Sequence, residues 1–270
     1  MIKYQLIGTT FTHLTGGNKG YSVHGKVSKY IEWARWEGDA IFYLDNDMAW
    51  AEKEERKVYG WLTESRDIMP HLIDNIKKYP NETTEPFDAI FTHNQELLSL
   101  GDPFRWVPAQ GTWIKDIKMY PKNKLVSMIS SNKQFVRGHT IRLEWVEKLR
   151  DVVDLYGRGF NEIEFKEEGL CDYMFSVAIE NARYETYFTE KILDCFATGT
   201  IPIYLGAPDV GEYFNSDGII SLTDDLEISE ELYYSKQDAV KENLELVKQY
   251  EVVEDFIFER YLSGDNGAIR

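Results

Sequence analysis

The densest group of chemically useful side chains lies in the stretch YETYFTEKILDCFATGTIPIYLG, residues 184–206. Thr189 can cap a helix whose first turn carries Glu190 and Lys191, and Gly199 can end that helix. The unpaired N–H groups and partial positive charge of a helix amino end attract phosphate, and an adjacent lysine adds to this attraction. A carboxylate at the same place can accept hydrogen bonds from ribose hydroxyls. The pattern is typical of a sugar-nucleotide site, although a surface Glu–Lys pair at a helix start is the simpler interpretation.

Two neighbouring segments add polar groups to this candidate site. The apolar run FSVAIEN ends in Glu180 and Asn181, and ligands of α/β proteins lie at the carboxyl ends of strands. The segment SNKQFVRGHTIRLEW places basic side chains around a predicted helix start, namely Lys133, Arg137, His139 and Arg142. Arginine can hold a diphosphate with two parallel hydrogen bonds. Alone, the strand ending is as typical of ordinary turn chemistry as of a site, and the basic segment is more typical of a solvated basic patch, but together they favour an anion site.

The elements that must position these residues alternate between strands and helices. We expect strands in MIKYQLIG, AIFYLD, KLVSMISSN, YMFSVAIEN and TIPIYLG, and helices in HGKVSKYIEWARWEG, TIRLEWVEKLRDVV and TEKILDCFATG. Such alternation implies parallel sheets with ligands at their carboxyl ends. It predicts two α/β lobes, over residues 1–118 and 119–250, with a cleft between them. The charged tail predicts one long helix, whose part over 251–270 we expect to pack back on the first lobe.

Composition limits the possible partners. The chain has 270 residues and a formal net charge of −16, so its average field repels nucleic acids and anionic lipids. Its two cysteines, Cys171 and Cys195, are too few for a secreted disulfide framework. No apolar run approaches the roughly 18 residues of a membrane span. We therefore expect a soluble cytoplasmic protein with no nucleic-acid partner and no stable membrane insertion.

The stretch VAIENARYETYFTEKILDCFATGTIPIYLGAPDVGEYF resembles the C-terminal signature of glycosyltransferase family 10, the α-1,3-fucosyltransferases. The shared features are a strand ending in Glu-Asn, the motif Tyr-x-Thr-Glu-Lys, a helix, and a Pro-containing strand ending in Gly. Weaker similarities are LVSMISSN and LYGRG in the second half and YGWLTESRD in the first. The resemblance implies a GT-B type α/β fold with two Rossmann-like lobes facing a central cleft. It also implies inverting transfer from GDP-fucose to a glycan hydroxyl, with no metal and no cofactor besides the donor.

The resemblance further implies a role for individual residues. Glu64 falls at the position of the catalytic base. The donor-binding residues would be Glu190 for the ribose, Lys191 for the phosphates, and Tyr187 and Asn181 for phosphate and sugar, with Glu180 beside them. Arg142 is the expected phosphate ligand, because it lies seven residues before Leu149, near the end of the helix predicted over TIRLEWVEKLRDVV. Arg137 is the second choice.

Three alternatives remain open on the residues alone. Asp45 and Asp47 in YLDND resemble the Asp-x-Asp with which metal-dependent GT-A transferases hold Mn²⁺. The protein could also keep a nucleotide-sugar pocket without catalysis. The loop TGGNKGYSVHG, with His13 and His24 nearby, could contact the acceptor or cradle a phosphate, or be a polar loop with neither role.

Overall fold

The computed structural model describes residues 1–8 and 26–264. The chain divides into two compact units, Met1–Gly111 with Val252–Arg270 and Thr112–Glu251, which we call the N-terminal and the C-terminal unit. Each unit contains one sheet in which every strand pair is parallel. The prediction of two Rossmann-like α/β lobes is confirmed.

The sheet of the N-terminal unit has six strands in the order β2-β1-β3-β4-β5-β6. The strands are β1 (Ile2–Ile7), β2 (Ile31–Ala34), β3 (Ala40–Leu44), β4 (Lys57–Trp61), β5 (Ala89–Thr92) and β6 (Phe104–Trp106). Its helices are α1 (Pro70–Lys78), α2 (Pro80–Thr84), α3 (Gln95–Leu98) and α8 (Val253–Ile257). All residues of β3 and β5 are buried, as expected for a parallel sheet covered on both faces.

The helix predicted over HGKVSKYIEWARWEG is wrong in its described part, which contains strand β2. Ile31 pairs with Ile2 of β1, and the side chains of Ile31 and Trp33 alternate inward. The Trp33 ring packs edge-on against Phe42, with centroids 5.1 Å apart. A short run can match both a helical and a strand period, and here burial of alternate side chains on the sheet decides the outcome.

The sheet of the C-terminal unit has five strands in the order β11-β10-β9-β7-β8. The strands are β7 (Lys124–Ile129), β8 (Asp154–Tyr156), β9 (Tyr173–Ile179), β10 (Ile201–Leu205) and β11 (Ile220–Ser221). Its helices are α4 (Arg137–Leu149), α5 (Glu190–Thr198), α6 (Glu230–Ser235) and α7 (Gln237–Leu246). The central strand β9 is buried along its whole length, so its carboxyl end delivers residues 180 and 181 from a rigid core.

The long tail helix predicted from the charged repeat is also wrong, because the structure breaks it. Helix α7 continues as a 3-10 turn to Tyr250, and Val252 is extended before α8 begins. Tertiary contacts hold α8 against the start of the chain. The Ser28 hydroxyl donates to Asp255 Oδ1 at 2.5 Å, and Trp33 Nε1 donates to Glu254 Oε1 at 3.1 Å. None of the helices in the described ranges is long and apolar enough to cross a membrane.

Candidate functional site

A cavity of about 570 Å³ opens in the C-terminal unit. Its wall contains the residues that follow β7 and β8, the last residues of β9, and the first residues of α5. This is the carboxyl edge of a parallel sheet, where α/β proteins bind their ligands. Four charged residues of the sequence-predicted site lie on this wall: Lys133, Arg142, Glu190 and Lys191.

A buried carboxylate fixes the amino end of α5. Glu180, the residue after β9, accepts hydrogen bonds from Thr189 N at 2.9 Å and from Thr189 Oγ1 at 2.6 Å. Thr189 in turn caps α5 by accepting from Lys191 N. Burial raises the pKa of Glu180, and the Lys191 ammonium, 3.4 Å away, opposes that rise. Glu180 does not line the cavity but holds the helix end that does.

Four charged side chains form an ion cluster on the cavity wall: Glu190, Lys191, Lys166 and Asp194. Glu190 Oε1 lies 3.1 Å from Lys191 Nζ and 3.4 Å from Lys166 Nζ, and Lys166 Nζ lies 3.0 Å from Asp194 Oδ2. Burial opposes ionisation of Glu190, but the two ammonium groups outweigh it and hold the pKa of this carboxyl far below its usual range. Glu190 is therefore a carboxylate at neutral pH.

The second oxygen of that carboxylate is closed off from solvent. Glu190 Oε2 is buried and makes no hydrogen bond with the described part of the chain. The cost of burying an unsatisfied acceptor is about 1–3 kcal/mol, and more for a charged one. A ligand that brings hydroxyl donors into the cavity would recover this energy.

Arg142 supplies the cation on α4. Its side chain is buried, with Nη1 donating to Asn181 Oδ1 at 3.1 Å and Nη2 donating to Ser131 Oγ at 3.3 Å. Burial lowers the pKa of Arg142, and Glu190 and Glu180 oppose this, yet arginine stays protonated at any neutral pH. The ends of β7 and β9 therefore aim one guanidinium group at the cavity.

Gly138 brings α4 against the end of β9. A Cβ atom at this position would lie 1.9 Å from the carbonyl oxygen of Asn181, closer than any real contact allows. Only glycine lets the first turn of α4 rest directly on that backbone, and the same contact places Arg142 beside Asn181. Sequence reasoning missed this role, for which the only available signal was a glycine inside a helix start.

The remaining predicted donor residues lie around the cavity rather than on its wall. Tyr187 is 2% exposed and contributes to the electrostatic environment of Arg142. It follows Thr186, which has a φ of 64° and donates its N–H to both oxygens of Asp209 at 2.9 Å. Arg137 is exposed at the start of α4. Asn181 reaches the site through its bond to Arg142.

Lys166, Asp194 and Trp113 are cavity residues that sequence reasoning missed. Asp194 had a usable signal, because it stands one helical turn after Glu190 on the same face of α5. Its Oδ1 accepts from Thr112 Oγ1 and from Trp113 N, both at 2.7 Å. Lys166 and Trp113 lie in segments without periodicity, so nothing local distinguished them.

In the N-terminal unit, the predicted base Glu64 stands in the loop after β4, where it is half-buried. Its backbone is fixed on both sides, since its N–H donates to Asp45 Oδ1 at 3.4 Å and its carbonyl lies 3.2 Å from His93 Nε2. Burial lowers the pKa of His93 to about 4, so this imidazole is neutral at pH 7. The loop that carries Glu64 is thus held in place by buried polar groups.

Asp45, the first carboxylate of the predicted Asp-x-Asp, is hydrogen-bonded within the protein. Asp45 is buried, and its two oxygens accept from Thr63 N at 2.8 Å and from Thr63 Oγ1 at 2.7 Å. Burial raises the pKa of Asp45, with Thr63 opposing the rise. Within residues 1–8 and 26–264, no three His, Cys, Asp or Glu side chains are grouped to hold a metal ion. Asp45 is therefore a structural acceptor for the loop after β4.

Glu96 forms ion pairs with Arg66 and Lys77 at the surface. The loop TGGNKGYSVHG and the two histidines His13 and His24 lie outside the described residues.

A sequence model of a known family matches the C-terminal unit. The family is described as "Glycosyltransferase family 10 (fucosyltransferase) C-term", and the match covers residues 119–250. The alpha-(1,3)-fucosyltransferase FucT of Helicobacter pylori is 36% identical over 196 residues, which are 68% of this chain and 38% of that protein. An alpha-(1,4)-fucosyltransferase of Arabidopsis thaliana is 37% identical over 51 residues, 19% of this chain and 13% of that protein. The chain thus spans well under half the length of these relatives.

Solved structures extend the similarity to both units. A crystal structure of an alpha1,3-fucosyltransferase with GDP matches with a TM-score of 0.55 and 16% identity, covering 99% of this chain and 91% of that one. The structure of an alpha1,3-fucosyltransferase with GDP-fucose matches with a TM-score of 0.51, 16% identity and the same coverage. At this identity the match shows the fold, which is of the predicted GT-B type α/β class.

Proposed function

Because this chain belongs to glycosyltransferase family 10, whose fucosyltransferase C-terminal domain it carries at residues 119–250, we propose that it transfers fucose from GDP-fucose to a glycan hydroxyl. We propose further that the transfer inverts the anomeric carbon and uses no metal ion. One observation carries the proposal. A carboxylate held between two ammonium groups at the start of α5 lines the same cavity as a buried arginine.

Recognition of the diphosphate is assigned to the cationic part of this cavity. Lys191, the backbone N–H groups at the start of α5, and Arg142 offer positive charge and hydrogen-bond donors to two phosphate groups. Glu180 and Asn181 contribute indirectly, because Glu180 fixes the helix cap and Asn181 holds the guanidinium group of Arg142. Tyr187 and Arg137 complete the proposed set, with Tyr187 near Arg142 and Arg137 as a secondary phosphate ligand at the rim of α4.

Recognition of the ribose is assigned to Glu190. Its Oε2 atom is buried without a hydrogen bond in the described part of the chain, and a ribose presents two hydroxyl donors. Since Lys191 and Lys166 keep this group ionised, the hydrogen bonds would be charge-assisted and about twice as strong as neutral ones.

The chemical step that we propose is a single in-line displacement. The acceptor oxygen forms a bond to the anomeric carbon while the bond from that carbon to the diphosphate breaks, and the electron pair leaves with GDP. Glu64 takes the proton of the acceptor hydroxyl, a role worth about 10² to 10⁴ in rate for a well-placed general base. Lys191, Arg142 and the helix end stabilise the negative charge that develops on the leaving group.

The proposed independence from metal rests on the residues that would otherwise hold one. The carboxylate of Asp45 is committed to Thr63, and the charge of the leaving diphosphate can be balanced by side chains already on the cavity wall. In metal-dependent transferases, Mg²⁺ or Mn²⁺ stabilises this negative charge, and here the side-chain cations would do so.

The test is a transfer assay with GDP-fucose and a panel of glycan acceptors, followed by NMR of the product, in EDTA and in Mn²⁺. We expect GDP release and product with the anomeric configuration opposite to the donor, at equal rates in both buffers. Retained configuration would contradict the single displacement. Activity lost in EDTA and restored by Mn²⁺ would contradict metal independence. Binding of GDP-fucose with no transfer to any acceptor and no release of free fucose would identify a nucleotide-sugar-binding protein without catalysis.

A further inference from the structure

Two aromatic side chains line the cavity and are still largely exposed to solvent. Trp113 is 47% exposed and Phe165 is 59% exposed, whereas most large aromatic residues of the unit are buried. Ligand cavities commonly use aromatic surfaces to bury the flat parts of a ligand and a few polar groups to orient it. An exposed indole at the edge of a charged cavity can contact a ring of the ligand.

The position of Trp113 is fixed by the ion cluster. Its backbone N–H donates to Asp194 Oδ1 at 2.7 Å, and the ammonium of Lys166 lies 5.0 Å from the centre of its ring. Lys166 also pairs with Asp194 and with Glu190. The indole is thus tied through two buried ion pairs to the carboxylate assigned to the ribose.

These contacts set an order along the cavity wall. The indole of Trp113 comes first, then Lys166 with Asp194, then Glu190, and finally Lys191 with the start of α5. The wall therefore runs from an aromatic side chain, through the Lys166–Asp194 ion pair, to the Glu190 carboxylate and the Lys191 ammonium. A nucleoside diphosphate presents its parts in the same order, as a flat base, a ribose with two hydroxyls, and two phosphates.

We propose that Trp113 is the platform on which the nucleobase of the donor stacks, and that Phe165 closes the same end of the cavity. Lys166 and Asp194 act as positioning residues, because they hold the indole and the Glu190 carboxylate at a set separation. This inference rests on the proposed binding of a nucleoside diphosphate. It gives a binding surface to the nucleobase, the part of the ligand that the polar residues do not contact in the proposed function.

The test is isothermal titration calorimetry with two probes, GDP and inorganic pyrophosphate, on the complete chain. Base stacking on an aromatic side chain is worth about 1–3 kcal/mol when measured by alanine substitution, or roughly 5-fold to 150-fold in affinity. Trp113→Ala should therefore weaken GDP binding by roughly that factor and leave pyrophosphate binding unchanged. Trp113→Phe keeps a ring and should stay close to the original affinity.

The matched control is Trp36→Ala, because Trp36 is 79% exposed in the N-terminal unit and does not line the cavity. It should change neither affinity. Equal GDP affinity for Trp113→Ala and the unsubstituted chain, or equal weakening of both probes, would overturn the stacking proposal while leaving the proposed function in place. If the unsubstituted chain binds pyrophosphate but neither GDP nor any other nucleoside diphosphate, the proposed function fails and this inference fails with it.

Discussion

The carboxyl ends of the two sheets use polar residues in different ways. In the C-terminal unit, the ion cluster and Arg142 gather charge on the wall of an open cavity, and Glu190 Oε2 is among the buried oxygens that make no hydrogen bond in the described ranges. In the N-terminal unit, the side chains of Asp45 and His93 form hydrogen bonds with the backbone of the loop after β4. The first arrangement can exchange its interactions for those of a charged ligand, whereas the second holds a loop in place.

The difference shows that a polar residue after a strand does not by itself mark a binding site. Asp45 and Glu180 both follow buried strands, both are buried, and both use their carboxylates to hold a threonine, Asp45 in the loop after the neighbouring strand β4 and Glu180 in the loop after its own strand β9. Glu180 differs because the helix that it supports begins with two charged residues, Glu190 and Lys191. The donor proposal therefore has a physical basis in the structure, while the role of Glu64 rests on the family resemblance and on the fixed loop.

The largest expected effect is on turnover. Glu64→Gln removes the proposed base and should lower kcat about 10²-fold to 10⁴-fold without changing the affinity for GDP. Glu82→Gln, an exposed change on α2 in the same unit, is the control and should alter neither quantity. Initial rates of GDP release and a GDP titration measure the two effects. Full activity of Glu64→Gln would remove the N-terminal unit from the proposed chemistry.

The next effect is on stability and concerns the ion cluster. Lys166→Met leaves the buried carboxyls of Glu190 and Asp194 without their shared cation, which should lower the free energy of unfolding by about 3–5 kcal/mol. The control Lys148→Met breaks an exposed pair with Asp224, which should cost only about 0–1 kcal/mol. Urea unfolding at pH 7 compares them. Equal losses for the two variants would show that the cluster is no more important than a surface pair.

A third effect concerns the contact between α4 and β9. Gly138→Ala forces a shift of the backbone at Asn181, and overpacking of this kind costs about 1–3 kcal/mol. Because the shift displaces Arg142, GDP affinity should fall as well. Gly264→Ala, where an added Cβ meets no atom of the described residues within 4 Å, should change stability by no more than about 0.5 kcal/mol. A stable Gly138→Ala variant with normal GDP affinity would contradict the positioning of Arg142 by this contact.

The smallest effect is a pH dependence in the N-terminal unit. Burial lowers the pKa of His93 to about 4, against about 6.5 in an unfolded chain. Its contribution to stability is therefore complete above pH 6.5 and is lost as the pH falls toward 4. At pH 5.5 the loss is about 1 kcal/mol relative to pH 7.5.

His93→Gln should lack this part of the pH dependence, whereas His71→Gln, at an exposed position of α1, should retain it. The measurement is the free energy of unfolding at the two pH values for all three chains. The same pH dependence in His93→Gln as in the unsubstituted chain would show that His93 is not held neutral by burial.

Much of the C-terminal unit could be predicted because its local signals agree. Helix α5 has a capping threonine, an apolar face and a terminating Gly199 with a φ of 70°, and each signal was present in the sequence. Strand β2 was predicted as a helix because four residues are too few to separate the two periods, and pairing with β1 decided the outcome. The break after α7 depends on contacts of α8 with residues more than 220 positions earlier, for example the bond between Ser28 and Asp255.

The same limit applies to the candidate site. Glu190 and Lys191 stand out because they share one helix start with a capping residue. Lys166 and Trp113 could not be found in this way, since their partners lie far along the chain. Lys166 meets Glu190 across 24 positions, and Trp113 meets Asp194 across 81. Residues that complete an ion cluster from a loop carry no periodicity of their own, and only the folded chain brings them together.

The central claim is that the start of α5 and Arg142 bind the diphosphate of a guanine nucleotide without a metal ion. Calorimetric titration of GDP in EDTA, on the unsubstituted chain and on Lys191→Met, tests it most directly. We predict binding to the unsubstituted chain and an affinity roughly 10-fold to 150-fold lower for Lys191→Met, because a charge-assisted hydrogen bond is worth about 1.5–3 kcal/mol. Equal affinity of the two proteins for GDP, or binding of UDP but not of GDP, would contradict the account.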